Sequence, residues 1–252
     1  MAEAVDFTTV IAVDNNYIEQ LQIVWGTWKR FRPELFDHPM VVIYAAECDV
    51  YRDRPKWMDH PDMSFISWPV YDGFIDQRDR MLSAFVRAAP QMVSTEWWLK
   101  LDCDTYATKH HGRWIPRRDE MEGMAFAGPR WRYTKPAWQM MELDNWAANH
   151  KGFRGTKPLG LMPEPGSDLV RHDRVCSWVF WANTEFTVHA ANLAEQGCGQ
   201  LRIPVPSQDG YHWFVAERMG EKYLYRGAKN YWWRNHASIG RLRSAVSEVM
   251  CG

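Results

Sequence analysis

The chain has 252 residues, of which 46% are hydrophobic and 24% charged, and 30 Lys and Arg stand against 31 Asp and Glu for a net charge of −1. That composition excludes a disordered chain, and the charge balance excludes a globally basic nucleic-acid coat. No apolar run approaches the ~20 residues of a membrane span, so one sizeable globular domain is expected.

Tryptophan is in excess: 15 Trp, against 10 Tyr and 11 Phe. So many large amphipathic rings imply a role beyond core filling. The five Cys (Cys48, Cys103, Cys176, Cys198, Cys251) are scattered and form no CxxC pair, which argues against a disulfide framework or a structural zinc site. The first residues have neither a basic nor an apolar leader region, so the cytoplasm of a cell or an infected host is the expected location.

Thr8 to Val13 reads as a buried strand, β-branched and apolar. Asp14-Asn15-Asn16 breaks it, and a helix follows with Asn16 as cap and Ile18, Leu21, Trp25 and Trp28 as its apolar stripe. Met40–Ala45 and Met63–Ser67 are further strands. Asp76 caps a helix carrying Met81, Leu82, Phe85, Val86 and Ala89, which Pro90 is expected to stop. Trp97–Leu101 is a fourth strand, ended by Asp102-Cys103-Asp104. Alternating strands and helices predict a mostly parallel α/β sheet with helices on its faces. Ligands of such sheets sit beyond the carboxyl ends of the strands, where Asp14, Asp102 and Asp104 fall.

The second half is less regular. Met124–Ala127 reads as a strand and 136–150 as a helix. The segment 151–173, with four Gly and three Pro, reads as one long loop able to close over a ligand. Val175–Trp181 reads as a strand. A helix capped by Thr184 then runs to Gln196, and one capped by Ser207 runs to Met219, ended by Gly220.

Three clusters carry chemistry. Asp102 and Asp104, at i and i+2 past an apolar strand, share a side if the chain stays extended. Such a pair suits a hard divalent cation that bridges to phosphate oxygens. Asp209, in the first turn of a helix, would be kept ionised by the helix dipole, as a general base must be. His236 follows the aromatic run Tyr231-Trp232-Trp233.

On these residues, from Thr8 to about Ser238, the chain resembles the GT-A type nucleotide-sugar glycosyltransferases, of the inverting, family-2-like kind. The resemblance implies the GT-A fold: a Rossmann-like, mostly parallel central sheet flanked by helices, with a smaller acceptor-side half. It implies a single catalytic domain over 1–252, with a nucleotide-sugar half at 1–108 and an acceptor half at 109–252. It also implies that Asp102 and Asp104 hold Mn²⁺ or Mg²⁺, with Asp102 near the nucleotide and His236 as a third ligand. Asp14, Arg78 and Arg80 would lie near the nucleotide or diphosphate, and Asp209 would be the base. A UDP-sugar is the first donor to expect. Gln208 departs from the family, where many members have Glu, and Cys103 is tolerated between the aspartates because it points away.

Two acid-free segments remain, 126–138 and 226–243. Arg130, Trp131, Trp232 and Trp233 are candidate acceptor-binding residues. They suit a glycan, with sugar faces lying on indoles, or a nucleic acid, with cations on phosphates and rings on a flipped base. In the second case the acceptor is a hydroxymethylated pyrimidine in DNA, as for phage enzymes that modify their own genomes. A non-catalytic carbohydrate-binding protein would account for the tryptophans but not for Asp102, Asp104 and Asp209. A sugar nucleotidyltransferase would need a Gly-rich turn after the first strand, where this chain has Asp14-Asn15-Asn16.

Overall fold

The computed structural model describes residues 3–44, 54–67, 83–163, 165–195, 208–226, 232–236 and 238–251. Its strands are β1 (Phe7–Val13), β2 (Met40–Tyr44), β3 (Met63–Ser67), β4 (Trp97–Leu101), β5 (Thr105–Ala107), β6 (Met124–Gly128), β7 (Arg130–Pro136), β8 (Leu169–Val175), β9 (Val179–Asn183), β10 (Lys222–Tyr225) and β11 (Trp233–Asn235).

A central seven-stranded sheet has the order β10-β6-β9-β4-β1-β2-β3. β1 pairs in parallel with β2 and β4, β2 with β3, and β6 with β10. β9 runs antiparallel between β4 and β6. The sheet is thus mostly parallel, as alternation predicted. β1 and β4 are buried at every position, the mark of strands covered on both faces. Because the chain returns from β3 to the far side of β1, the carboxyl ends of β1 and β4 lie side by side. That reversal opens a crevice at this edge. Two ribbons complete the sheet structure, β5 with β11 and β7 with β8.

The first helix, Ile18–Phe31, buries Leu21, Trp25 and Trp28 as its stripe predicted. Its cap differs from expectation. The Asp14 carboxylate, not Asn16, accepts from the backbone N–H groups of Asn16 (2.8 Å) and Tyr17 (3.2 Å). The helix before β4 also differs. Ser83–Ala88 is a π-helical turn that continues as α-helix over Ala89–Met92, so Pro90 lies inside the helix. Asp76 lies outside the described residues.

The expected long loop is shorter, because Leu169–Val175 forms β8 against β7. The expected strand 175–181 is split by a turn at 176–178, and β9 begins at Val179. Asn183 rather than Thr184 caps the next helix, accepting from the Phe186 N–H at 3.0 Å. A final helix, Ile239–Cys251, packs Leu242 and Val246 inward. Arg30 of the first helix donates to its Met250 carbonyl at 2.7 Å.

Arg218 on helix Gln208–Met219 is buried and paired with Asp144 at 2.7 Å, and its Nε donates to Thr156 Oγ1 at 2.9 Å. The same Asp144 carboxylate accepts from the Leu159 N–H. This pair ties 156–159 to two helices. Asp144→Ala would leave a buried guanidinium without its countercharge. A loss of about 2–3 kcal/mol is expected in urea unfolding, less than for a fully buried pair because Asp144 is a quarter exposed. No change in the midpoint would mean that the pair contributes nothing.

A second ion pair gives a pH signature. Arg113 grips Glu120 with two bonds of 2.7 Å, and Glu120 also accepts from the Arg117 N–H. The Arg113 bond is the main reason its carboxyl is held at about 2, against an ordinary 4.5. The folded value lies below the unfolded one. Its stabilisation is therefore present above pH ~4.5 and is lost as pH falls towards ~2. After solvent screening it amounts to about 1 kcal/mol. Urea midpoints of wild type and Glu120→Gln should differ at about pH 6 and converge near pH 2; a gap that persists in acid would contradict this.

Candidate active site

The site is built on the carboxyl ends of β1 and β4. Asp14 follows β1 and is 7% exposed, and Asp104 follows β4 and is 8% exposed. The buried Cys103 thiol donates to the Ala12 carbonyl at 3.0 Å, which pins the Asp102–Asp104 turn to the end of β1. Burial, with the three neighbouring aspartates adding to it, pushes that thiol up. It stays protonated and serves as an anchor, pointing away from the crevice as expected. The Asp102 N–H donates to the Trp178 carbonyl (3.1 Å), and the Thr105 N–H to the Asp102 carbonyl (3.0 Å).

Burial raises the Asp104 carboxyl above the usual carboxylate range, with the Lys100 charge opposing it. A desolvated carboxylate at a cleft edge is a site that a cation would relieve. His236 is placed by the ribbon. β11 pairs antiparallel with β5 and ends at Asn235 opposite Thr105, so His236 follows directly after the ribbon, as Asp104 directly precedes it. The His236 ring stacks on Tyr106, centroids 6.0 Å apart at 18°. Among the described residues no three His, Cys, Asp or Glu side chains form a metal-holding group, so Asp102, Asp104 and His236 do not form a ready-made cage. Asp102 is drawn elsewhere: its Oδ1 accepts from the Lys100 ammonium at 2.5 Å.

Lys100 was not singled out in the sequence, although a signal existed. It is the one cation in the apolar strand Trp97–Leu101, two residues before Asp102 and so on the same face. Its side chain is fully buried.

Asp209 takes the second position of helix Gln208–Met219; its side chain lies outside the described atoms. Arg78 and Arg80 lie outside the described residues. The four candidate acceptor residues fall on two different ribbons. Trp131 is 51% exposed on β7. Arg130 beside it pairs with Asp173, which also accepts from Arg132. Trp232 is half-buried, with the Arg226 guanidinium 5.5 Å over its ring. Trp233 is a correction: it is 1% exposed and packs edge-on to Trp114 at 5.4 Å, so it is a core ring and offers no face for stacking. It opens the three-residue strand β11 opposite the buried Ala107, which turns it inward, and the basic flanks of the segment concealed this.

No family model matches the chain, and no curated protein matches it. Solved structures do. The nucleoside-diphosphate-sugar pyrophosphorylase from Vibrio cholerae RC9 aligns with a TM-score of 0.54 at 9% identity, covering 96% of this chain and 100% of that one. The mannosyltransferase Ktr4p from S. cerevisiae aligns at 0.54 and 11% identity, covering 86% and 66%. Core-mannan synthase A from Aspergillus fumigatus, in its Mn/GDP form, aligns at 0.51 and 8% identity, covering 86% and 72%. The chain has the GT-A fold. At these identities the likeness is one of architecture: a mixed α/β sheet whose parallel strands end at a common crevice. Among the described residues no helix is long and apolar enough to cross a membrane.

Proposed function

We propose that this chain is a divalent-metal-dependent glycosyltransferase that moves a sugar from a nucleotide-sugar donor to an acceptor hydroxyl. The observation that supports the reading is the place of Asp14, Asp102 and the nearly buried Asp104 just past the carboxyl ends of the adjacent parallel strands β1 and β4. Asp104, the outer oxygen of Asp102 and His236 would hold Mn²⁺ or Mg²⁺. When bound, that ion neutralises charge developing on the leaving diphosphate. Asp209 would accept the proton of the acceptor hydroxyl, and attack opposite the leaving group would invert the anomeric centre. Asp14, Arg78 and Arg80 would border the nucleotide. The Mn/GDP form of core-mannan synthase A lends general support to a metal and a nucleotide-sugar. A UDP-sugar is the first donor to test. The acceptor is a glycan or a hydroxymethylated DNA base, presented to Arg130, Trp131 and Trp232, and the work is done in the cytoplasm.

The pyrophosphorylase likeness favours a second reading, nucleotidyl transfer. One observation weighs against it. In such an enzyme the turn after the first strand would cradle a triphosphate with backbone N–H groups. Here the N–H groups of Asn16 and Tyr17 are taken by the Asp14 carboxylate.

The test is a panel of UDP-, GDP- and dTDP-sugars incubated with Mn²⁺. Slow release of nucleoside diphosphate, abolished by EDTA, is expected. Release of nucleoside triphosphate on adding pyrophosphate would instead establish the nucleotidyltransferase. With an acceptor in hand, Asp209→Asn should lower transfer by about 10²- to 10⁴-fold while leaving donor affinity intact. A product that retains the donor's anomeric configuration would remove Asp209 from this role. Glycan and hydroxymethylated DNA, offered in parallel, decide the acceptor class.

A further inference from the structure

Lys100 is the unusual residue of the crevice. Its side chain is fully buried, and its ammonium lies 4.8 Å from the Phe85 ring centre and 5.9 Å from that of Phe180. It donates to the Ser177 carbonyl and to Asp102 Oδ1, each at 2.5 Å. Burying a charge costs several kcal/mol unless a countercharge and good hydrogen bonds accompany it. Here both bonds converge on one nitrogen from two sides. The Asp102 bond comes from the strand's own continuation, and the Ser177 bond comes from the turn before β9. Asp102 remains 28% exposed, so one carboxylate oxygen faces inward to Lys100 while the side chain still reaches the crevice. Asp104 lies further along the same turn and is nearly buried.

We infer that Lys100 is a positioning residue and built-in countercation of the Asp102-Cys103-Asp104 turn: it fixes Asp102 in place and weakens the hold of that turn on a free divalent ion. The inference rests on the metal-dependent reading above. The physical reason is charge balance. With Asp102 paired from below, part of the turn's negative charge is already offset, and a fixed positive charge lies behind the site. The diphosphate of a donor brings the missing negative charge. A free ion should therefore bind weakly, and the same ion should bind more tightly in the presence of a nucleoside diphosphate. A merely structural lysine would leave the affinity for the free ion unchanged.

Titration calorimetry with Mn²⁺ alone, and with Mn²⁺ plus UDP or GDP, tests this in the full chain. Lys100→Met removes the charge at nearly constant volume. Lys100→Gln keeps a donor for the Ser177 carbonyl and carries the test if the methionine variant does not fold. In the folded variant, Mn²⁺ alone is expected to bind at least about tenfold tighter than in wild type, and the affinity with nucleotide should rise as well. Asp104→Asn is the control and should lose the ion. Unchanged or weaker Mn²⁺ binding in the variant, with wild type binding normally, overturns the role of Lys100 and leaves the metal reading standing. Wild type that takes up no Mn²⁺ even with nucleotide overturns the metal reading, and this inference with it.

Discussion

Asp104→Ala is expected to lower metal-dependent turnover by about 100- to 1000-fold, the scale seen when one well-placed electrostatic group is removed from a transition state. Asp104 is nearly buried at the crevice, and burial holds its carboxyl above the ordinary range. A cation placed there restores the balance, and alanine offers it no oxygen. The fold should survive, because removing this carboxylate removes a desolvation cost. Thermal unfolding of the metal-free variant should therefore match wild type or exceed it, while the stabilisation that Mn²⁺ and nucleoside diphosphate confer on wild type disappears. A variant that keeps nucleotide-dependent Mn²⁺ binding would show that the ion is held elsewhere.

Trp28→Ala should be the most destabilising single change in the first helix, by about 3–5 kcal/mol. Its ring is fully buried and packs against Trp25, centroids 5.5 Å apart. Its indole N–H donates to the Thr105 carbonyl at 2.7 Å, the residue after Asp104. Thr27 of the same helix reinforces the contact: its hydroxyl accepts from the Ala107 N–H at 3.0 Å. The helix therefore holds β5, and β5 holds β11 with His236. Trp28→Phe keeps most of the packing and leaves a buried carbonyl without its donor, at about 1–3 kcal/mol. Urea unfolding measures both. Equal losses in the two variants would show that the hydrogen bond dominates; losses under about 1 kcal/mol in both would show that the helix does not hold the ribbon.

Legibility differed along the chain for physical reasons. β1, β2, β3 and β4 were readable because each is a short apolar run bounded by breakers, and both faces of β1 and β4 are covered. Strand direction was not readable: β9 is as apolar as β4, yet it runs antiparallel beside it. β7 was hidden by its own chemistry. Arg130, Arg132 and Thr134 alternate with Trp131 and Tyr133, a period of two that reads as a basic aromatic surface when taken as composition alone. The last helix has a usable stripe in Leu242 and Val246, but it lies beyond Ser238, where the family likeness ends.

The tryptophans divide along the same line. Trp25, Trp28, Trp97 and Trp98 are buried, as their places in periodic elements foretold. Trp131 and Trp138 are more than half exposed, and Trp233 sits in the core despite its basic neighbours. Periodicity told core rings from the rest better than neighbouring charge did, because burial follows the face a residue occupies.

The sequence by itself determined the alternating α/β frame and the place of Asp14, Asp102 and Asp104 at strand ends, since these follow from local runs and their breakers. Only the tertiary structure decided what surrounds them. It brought the strand before His236 onto β5 through a ribbon joining residues about 130 positions apart, and it turned Lys100 into the buried partner of Asp102. Pairings of that range are chosen by which strands meet in the folded sheet, and no local pattern of residues encodes that choice.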